Sequence, residues 1–125
     1  LQTKINTPSL VIIDGIADLV SDVNSLEESN AVVQKLMEWS AKFNCHIINV
    51  IHHNYGTSKM TGHLGSFLEK KCETHIELEA NTVNKEWVTV KCKRSRGYAF
   101  DNFSFEVNEL GLPCIVDNLY DPLKI

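Results

Sequence analysis

The chain has 125 residues, of which 43% are hydrophobic and 22% are charged, and its formal net charge is −4. A chain of this size and composition can bury one hydrophobic core, so we expect a single domain over residues 1–125. The net negative charge excludes a general attraction to nucleic acid or anionic lipid, so any such contact must come from a local basic patch. The first residues carry no basic head followed by a long apolar run. We therefore expect a fragment of a cytoplasmic protein without a membrane segment.

The first half of the sequence predicts a strand, a helix and a second strand. A continuous β-branched run at Ser9–Ile13 is typical of a strand that is covered on both faces. Ser25 and Glu28 form a capping box ahead of an apolar helical pattern that ends near Asn44. A second apolar run, Ile47–Ile51, follows at once. This order predicts two parallel strands joined by a crossover helix.

The second half predicts strands alone. Tyr55–Gly65 is rich in Gly, Thr, Ser and Lys and predicts a loop before a short helix at Ser66–Cys72. Three later segments alternate apolar and polar residues, which indicates antiparallel strands with one solvated face. Their apolar positions are Ile76 and Leu78, then Val88, Val90 and Cys92, then Phe103, Phe105 and Val107. Residues 114–125 show no periodicity and are expected to form a tail. The predicted fold class is α/β, with parallel strands and a crossover helix followed by antiparallel C-terminal strands.

Polar side chains follow both predicted parallel strands. Asp14 comes directly after the first strand, and His52 and His53 follow the second. Because open α/β sheets bind ligands at the carboxyl ends of their strands, we expect these residues to mark a site. A carboxylate there can hold Mg²⁺ against a triphosphate, and an imidazole can contact the γ-phosphate. Aspartate is also common there for turn or capping reasons, and the two histidines point to opposite sides of a continuing strand.

The run Pro8–Gly15 (PSLVIIDG) resembles the Walker B strand of RecA-like ATPases. The resemblance is to the hexameric helicase branch, which includes DnaB-type replicative helicases, plasmid RepA helicases and ATPases of mobilizable elements. Later segments resemble that branch in the same order. Asp18, Asp22 and Asn24 resemble the segment after Walker B, and Ile47–His53 resembles the strand that ends in a polar sensor. Tyr55–Ser66 resembles the loop that faces single-stranded DNA. Lys91–Gly97 resembles the basic strand end that reaches the ATP of a neighbouring subunit.

The resemblance implies a RecA-like three-layer fragment from Walker B onward, in an ATP-driven DNA helicase or replication or mobilization ATPase of a mobile element. It implies ATP and Mg²⁺ as cofactors of the intact parent, single-stranded DNA as partner and a hexameric ring. The implied roles are magnesium binding by Asp14, γ-phosphate sensing by His52 or His53, phosphate binding by Lys93, action in trans by Arg94 or Arg96, and DNA contact by Tyr55, Lys59 and His63.

The sequence also departs from the family pattern. No G-x-x-x-x-G-K-[ST] motif occurs, so we expect this fragment neither to bind ATP tightly nor to hydrolyse it alone. DnaB-type enzymes show a Lys-x-Arg spacing before a glycine, and Ser95 occupies the position of that arginine. Arg94 and Arg96 therefore both remain candidates for the arginine finger, with Arg96 favoured because it lies nearer the turn.

Other interpretations fit parts of the pattern. The chain could be a non-hydrolysing RecA-like oligomerisation or regulatory module, or a small nuclease or phosphatase built on Asp14, Asp18 and Asp22. The basic cluster could be the solvated face of an edge strand. Cys72, His75 and His63 are residue types that bind zinc, but they lack the paired spacing that is usual in zinc sites. The favoured interpretation is therefore that the cysteines are reduced and packed.

Overall fold

The computed structural model describes residues 7–53 and 60–116. The chain divides into two compact units, Leu1–Lys71 and Cys72–Ile125. The elements in chain order are β1 (Leu10–Asp14), a 3-10 helix (Ile16–Leu19), α1 (Leu26–Phe43), β2 (His46–Val50), α2 (Gly62–Lys71), β3 (Thr74–Ala80), β4 (Val88–Ser95), β5 (Phe103–Val107) and β6 (Pro113–Val116). The fold class is mixed α/β, as the sequence predicts.

The first unit contains a two-stranded parallel sheet. β1 pairs with β2 in a register that places Leu10 opposite His46 and Asp14 opposite Val50. Helix α1 lies between these strands in the chain, so the predicted parallel pair with a connecting helix is confirmed. Each strand is displaced by one residue from its predicted bounds, which is the usual uncertainty for strand ends.

Helix α1 begins and ends where the sequence predicts. The Ser25 hydroxyl accepts a hydrogen bond from the backbone N–H of Glu28 at 3.2 Å, which satisfies a donor of the first turn. Asn44 ends the helix in the left-handed conformation, with φ of 47°. Across residues 7–53 and 60–116, no helix combines the length and the apolar character needed to cross a bilayer.

The core of the first unit lies between the helices and one face of the sheet. Its fully buried cluster consists of Ile16, Val33, Leu36, Leu64 and Leu68, and Ile13, Ile47 and Ile51 pack against it from the strands or their extension. Helix α2 starts at Gly62, so the last four residues of the predicted loop are helical instead. The physical reason is that Leu64 and Leu68 gain burial only when they share a helical face.

The second unit is a four-stranded antiparallel sheet in the order β3-β4-β5-β6. The three predicted strands are confirmed, and β6 is an addition that pairs with β5. Residues 114–116, predicted to begin a tail, therefore belong to a strand, and 117–125 lie outside the described residues. Asn108 makes this hairpin possible, because its side-chain oxygen accepts hydrogen bonds from the N–H groups of Leu110 and Leu112 at 2.9 and 3.0 Å.

Strand β3 has an unusual distribution of exposure. Its aliphatic residues Ile76 and Leu78 are 52% and 59% exposed, whereas His75 and Glu77 are buried. The alternation of the strand is as predicted, but its polar side is the buried one, so the predicted solvated face is wrong for this strand. Burial of Glu77 is possible because Lys93 supplies an opposite charge.

Candidate functional site

Asp14 and His52 lie at the same edge of the parallel sheet. Asp14 is the last residue of β1 and lies opposite Val50 in the register. His52 follows Val50 by two residues, which in extended chain is about 7 Å farther along the strand direction. The two residues therefore both lie at the carboxyl ends of neighbouring parallel strands, where α/β sheets bind their ligands.

The two residues also lie on the same face of the sheet. Exposure alternates along β2 and continues past its end, so that Ile48, Val50 and His52 are exposed while His53 is half-buried. Asp14 shares the face of Val50, its partner in the register, and the period of two puts His52 on that face as well. The sequence left His52 and His53 as alternatives, and this alternation places His52 on the side of Asp14.

The Asp14 carboxylate is available to a ligand. It is exposed, and it forms no hydrogen bond or ion pair with the part of the chain that the structure describes. The Asp14–Gly15 peptide bond is cis. A Cβ atom on Gly15 would lie 3.3 Å from the carbonyl oxygen of Val50, so glycine allows the two strand ends to approach closely. Among the described residues, the exposed Asp14 carboxylate therefore has no partner at the sheet edge.

The single Asp14 carboxylate is compatible with Mg²⁺ that also binds phosphate. Mg²⁺ is commonly held by one or two carboxylates, with phosphate oxygens and water completing its octahedron. Asp22 is engaged elsewhere, because its Oδ1 accepts a hydrogen bond from the N–H of Asn24 at 2.9 Å. Among residues 7–53 and 60–116, no group of three or more His, Cys, Asp or Glu side chains could hold a metal ion. The nuclease and zinc interpretations therefore gain no support from the described residues.

The described residues on either side of positions 54–59 are hydrogen-bonded to one another. His53 and Met60 form an antiparallel bridge, and the carbonyl oxygen of His52 accepts hydrogen bonds from Thr61. The predicted DNA contacts Tyr55 and Lys59 lie outside the described residues. His63 is exposed in the first turn of α2.

The basic segment Lys91–Arg96, at the end of β4, contains two paired lysines and two arginines. Lys93 lies 2.9 Å from Glu77, and Lys91 forms an ion pair with Glu79. The half of β4 that carries these lysines pairs with β3 alone, since its pairing with β5 extends only from Val88 to Val90. The predicted phosphate ligand Lys93 is thus also a structural counter-charge.

The arginines occupy different positions. Arg94 lies opposite His75 in the register, is exposed, and makes no ion pair with the described residues. Arg96 lies just past the end of β4, where its backbone N–H donates to the carbonyl of Glu73 at 2.9 Å. Both arginines are exposed, so both are accessible to a neighbouring molecule.

Sequence reasoning missed Glu77 and Glu79. Alternation along Thr74–Ala80 puts both glutamates on one face of a strand. Lys91 and Lys93 share one face of the next strand in the same way, and this pattern of opposite charges could have indicated the ion pairs. The register between the two strands was needed to pair them.

No protein-family model matches the chain, and a comparison with curated proteins finds no significant match. The functional interpretation therefore depends on the geometry of the chain's own residues.

Proposed function

We propose that the chain is the C-terminal part of an ATP-hydrolysing DNA helicase, or of a related replication or mobilization ATPase of a mobile element, with a RecA-like three-layer core. One observation carries the proposal: Asp14 and His52 lie at one edge and on one face of a parallel strand pair. A carboxylate so placed can hold the metal of a metal-bound triphosphate, and an imidazole can contact one of its phosphate oxygens.

The chemistry assigned to each residue follows from its type. Bound Mg²⁺ neutralises charge that develops on the phosphates. Asp14 holds that cation directly or through water, and His52 contacts a γ-phosphate oxygen. Arg94 or Arg96 reaches the ATP of a neighbouring subunit in a hexameric cytoplasmic ring, because an inserted guanidinium stabilises charge in the transition state.

The exposed face of the parallel sheet supports a third layer. Leu10, Ile12 and Ile48 are 50%, 61% and 42% exposed on the face that carries Asp14. Parallel sheets are almost always covered on both faces, and α1 and α2 pack only against the opposite one. A further layer on this face is what a RecA-like core supplies.

The residue types in the range 54–59, between His53 and Met60, support contact with single-stranded DNA. His53 and Met60 flank this range and lie beside each other at the carboxyl end of β2. Tyr55 and Lys59 combine an aromatic ring with a positive charge, which suits base stacking and phosphate pairing. His63 follows in α2.

The test is DNA-stimulated ATP hydrolysis by the natural full-length protein. Asp14→Asn should lower kcat at least about 100-fold, because loss of metal-held transition-state charge costs several kcal/mol. The matched control is Asp18→Asn, which removes the same charge from the adjacent 3-10 helix and should leave kcat within about twofold. Equal rates for wild type and Asp14→Asn would refute the assignment.

Mixing experiments test the action in trans. Arg94→Ala and Arg96→Ala are each combined with Asp14→Asn protein. The true finger is the arginine whose inactive variant regains activity in mixed rings, since such rings contain some sites with both an intact Asp14 and an intact arginine. Absence of rescue for both would place the arginines outside the reaction.

A non-hydrolysing oligomerisation or regulatory module is the second candidate. The exposed aliphatic residues of both units favour it, because such surfaces mark contacts with other chain segments or proteins. Under this alternative the full-length protein assembles but does not hydrolyse ATP, and Asp14→Asn leaves assembly unchanged.

A further inference from the structure

Thr61 makes an unusual double contact with the residue that we assign as the γ-phosphate sensor. Its hydroxyl donates to the carbonyl oxygen of His52 at 2.8 Å, and its backbone N–H donates to the same oxygen at 3.3 Å. β2 ends at Val50, so the strand ladder no longer fixes the chain at His52. Thr61 therefore supplies the hydrogen bonds that replace the ladder at this point.

Thr61 is itself firmly anchored. Its carbonyl oxygen accepts the N–H of Gly65 at 3.0 Å, the first helical bond of α2. The N–H of Leu64 donates to the carbonyl of Val23 at 3.1 Å, and the Leu64 side chain is fully buried. The start of α2 is thus held by the segments that follow both parallel strands. A residue anchored in this way can hold His52 in one place.

We infer that Thr61 is a positioning residue, which holds the backbone of His52 so that its imidazole stays at the sheet edge that carries Asp14. This inference rests on the proposed function, since it concerns the same site. Thr61 touches no phosphate and acts only through His52. A displacement of about 1 Å at a reacting group can lower a rate about 100-fold, so a modest loosening of His52 is expected to be measurable.

The experiment is a double-mutant cycle on the ATPase activity of the natural full-length protein. Thr61→Val removes the hydroxyl while keeping the branched shape, and Thr61→Ser keeps the hydroxyl. We expect Thr61→Val to lower kcat about tenfold with little change in KM, and Thr61→Ser to stay near wild type. In a His52→Ala background, Thr61→Val should have no further effect. Thr82→Val, in the connection between β3 and β4, is the control for loss of an exposed threonine hydroxyl.

The outcomes separate the two claims. If wild type hydrolyses ATP and depends on Asp14 and His52, but Thr61→Val matches wild type, the positioning role is refuted and the proposed function stands. If Thr61→Val lowers kcat by the same factor in the wild-type and the His52→Ala backgrounds, Thr61 has only a structural role and the inference fails. If wild type shows no ATPase activity, both claims fail. Should Thr61→Val not fold, Thr61→Ala replaces it in the same cycle.

Discussion

The ammonium group of Lys93 lies 2.9 Å from the carboxylate of Glu77, a side chain that is only 6% exposed. This contact compensates a nearly buried negative charge in the centre of β3. It also means that any phosphate bound by Lys93 must compete with Glu77 for the same ammonium group.

Lys93→Met should therefore destabilise the fold as well as affect phosphate binding. We expect the free energy of unfolding to fall by about 1–2 kcal/mol, less than for a fully buried pair because Lys93 is 38% exposed. Urea unfolding monitored by circular dichroism measures this change. Lys85→Met, an exposed lysine with no ion pair in the described residues, removes the same charge and should change stability by less than about 0.5 kcal/mol. Equal effects of both substitutions would show that the Glu77 contact contributes nothing.

Two glycines at the start of α2 should resist substitution by alanine. Gly62 has φ of +64°, and a Cβ there would lie 2.6 Å from the carbonyl oxygen of Val23. A Cβ on Gly65 would lie 2.5 Å from the Cβ of Met60. Either alanine should lower the free energy of unfolding by about 2 kcal/mol or more, because backbone has to move. Gly97→Ala is the control, since its nearest neighbour is 3.9 Å away and its Tm should hardly change.

The first turn of α1 depends on Ser25. Ser25→Ala removes the side-chain acceptor of the Glu28 N–H and should cost about 1 kcal/mol of folding stability. Ser66→Ala serves as the comparison, because that hydroxyl only bonds back to the carbonyl of Gly62 at 3.4 Å within α2. Thermal unfolding of both variants measures the difference. A Ser25→Ala variant as stable as Ser66→Ala would contradict the capping role.

Glu28 should make stability sensitive to acid. The carboxylate of Glu28 accepts a hydrogen bond from the Ser21 hydroxyl at 2.6 Å and another from the N–H of Asp22 at 3.0 Å. These bonds lower the pKa of Glu28 below its ordinary 4.5. Because the folded-state pKa is lowered, the stabilisation is fully present above pH 4.5 and is lost as the pH falls through the folded-state value.

The measurement is urea unfolding of wild type and Glu28→Gln from pH 7 down to pH 3. The stability difference between them should be constant near neutral pH and shrink in acid. Glu27→Gln, in the same helical turn but without these hydrogen bonds, is the control and should follow the wild-type acid profile. A constant difference between wild type and Glu28→Gln at every pH would contradict the prediction.

Much of the fold could be predicted because its signals are local. The ends of α1 follow from Ser25 and Asn44, whose side chains and backbone act within one helical turn. The strands β1 to β5 follow from runs of β-branched residues or from alternation. The first turn of α2 was missed because Gly62 is typical of loops, and burial of Leu64 overrides that preference. The short β6 was missed because Gly111 marks the turn after β5, and the four residues from Pro113 form a strand only through their pairing with β5.

Some features of the candidate site could also be predicted from the sequence, and others required the tertiary structure. Sequence alone determined that Asp14 and the two histidines follow consecutive apolar strands, since that depends only on order along the chain. Tertiary structure decided which residues face each other in the parallel pair, that His52 shares the face of Asp14, and that Lys93 is paired with Glu77. The physical reason is that strand register and side-chain partners depend on contacts between residues distant in the chain, which no local pattern of residues specifies.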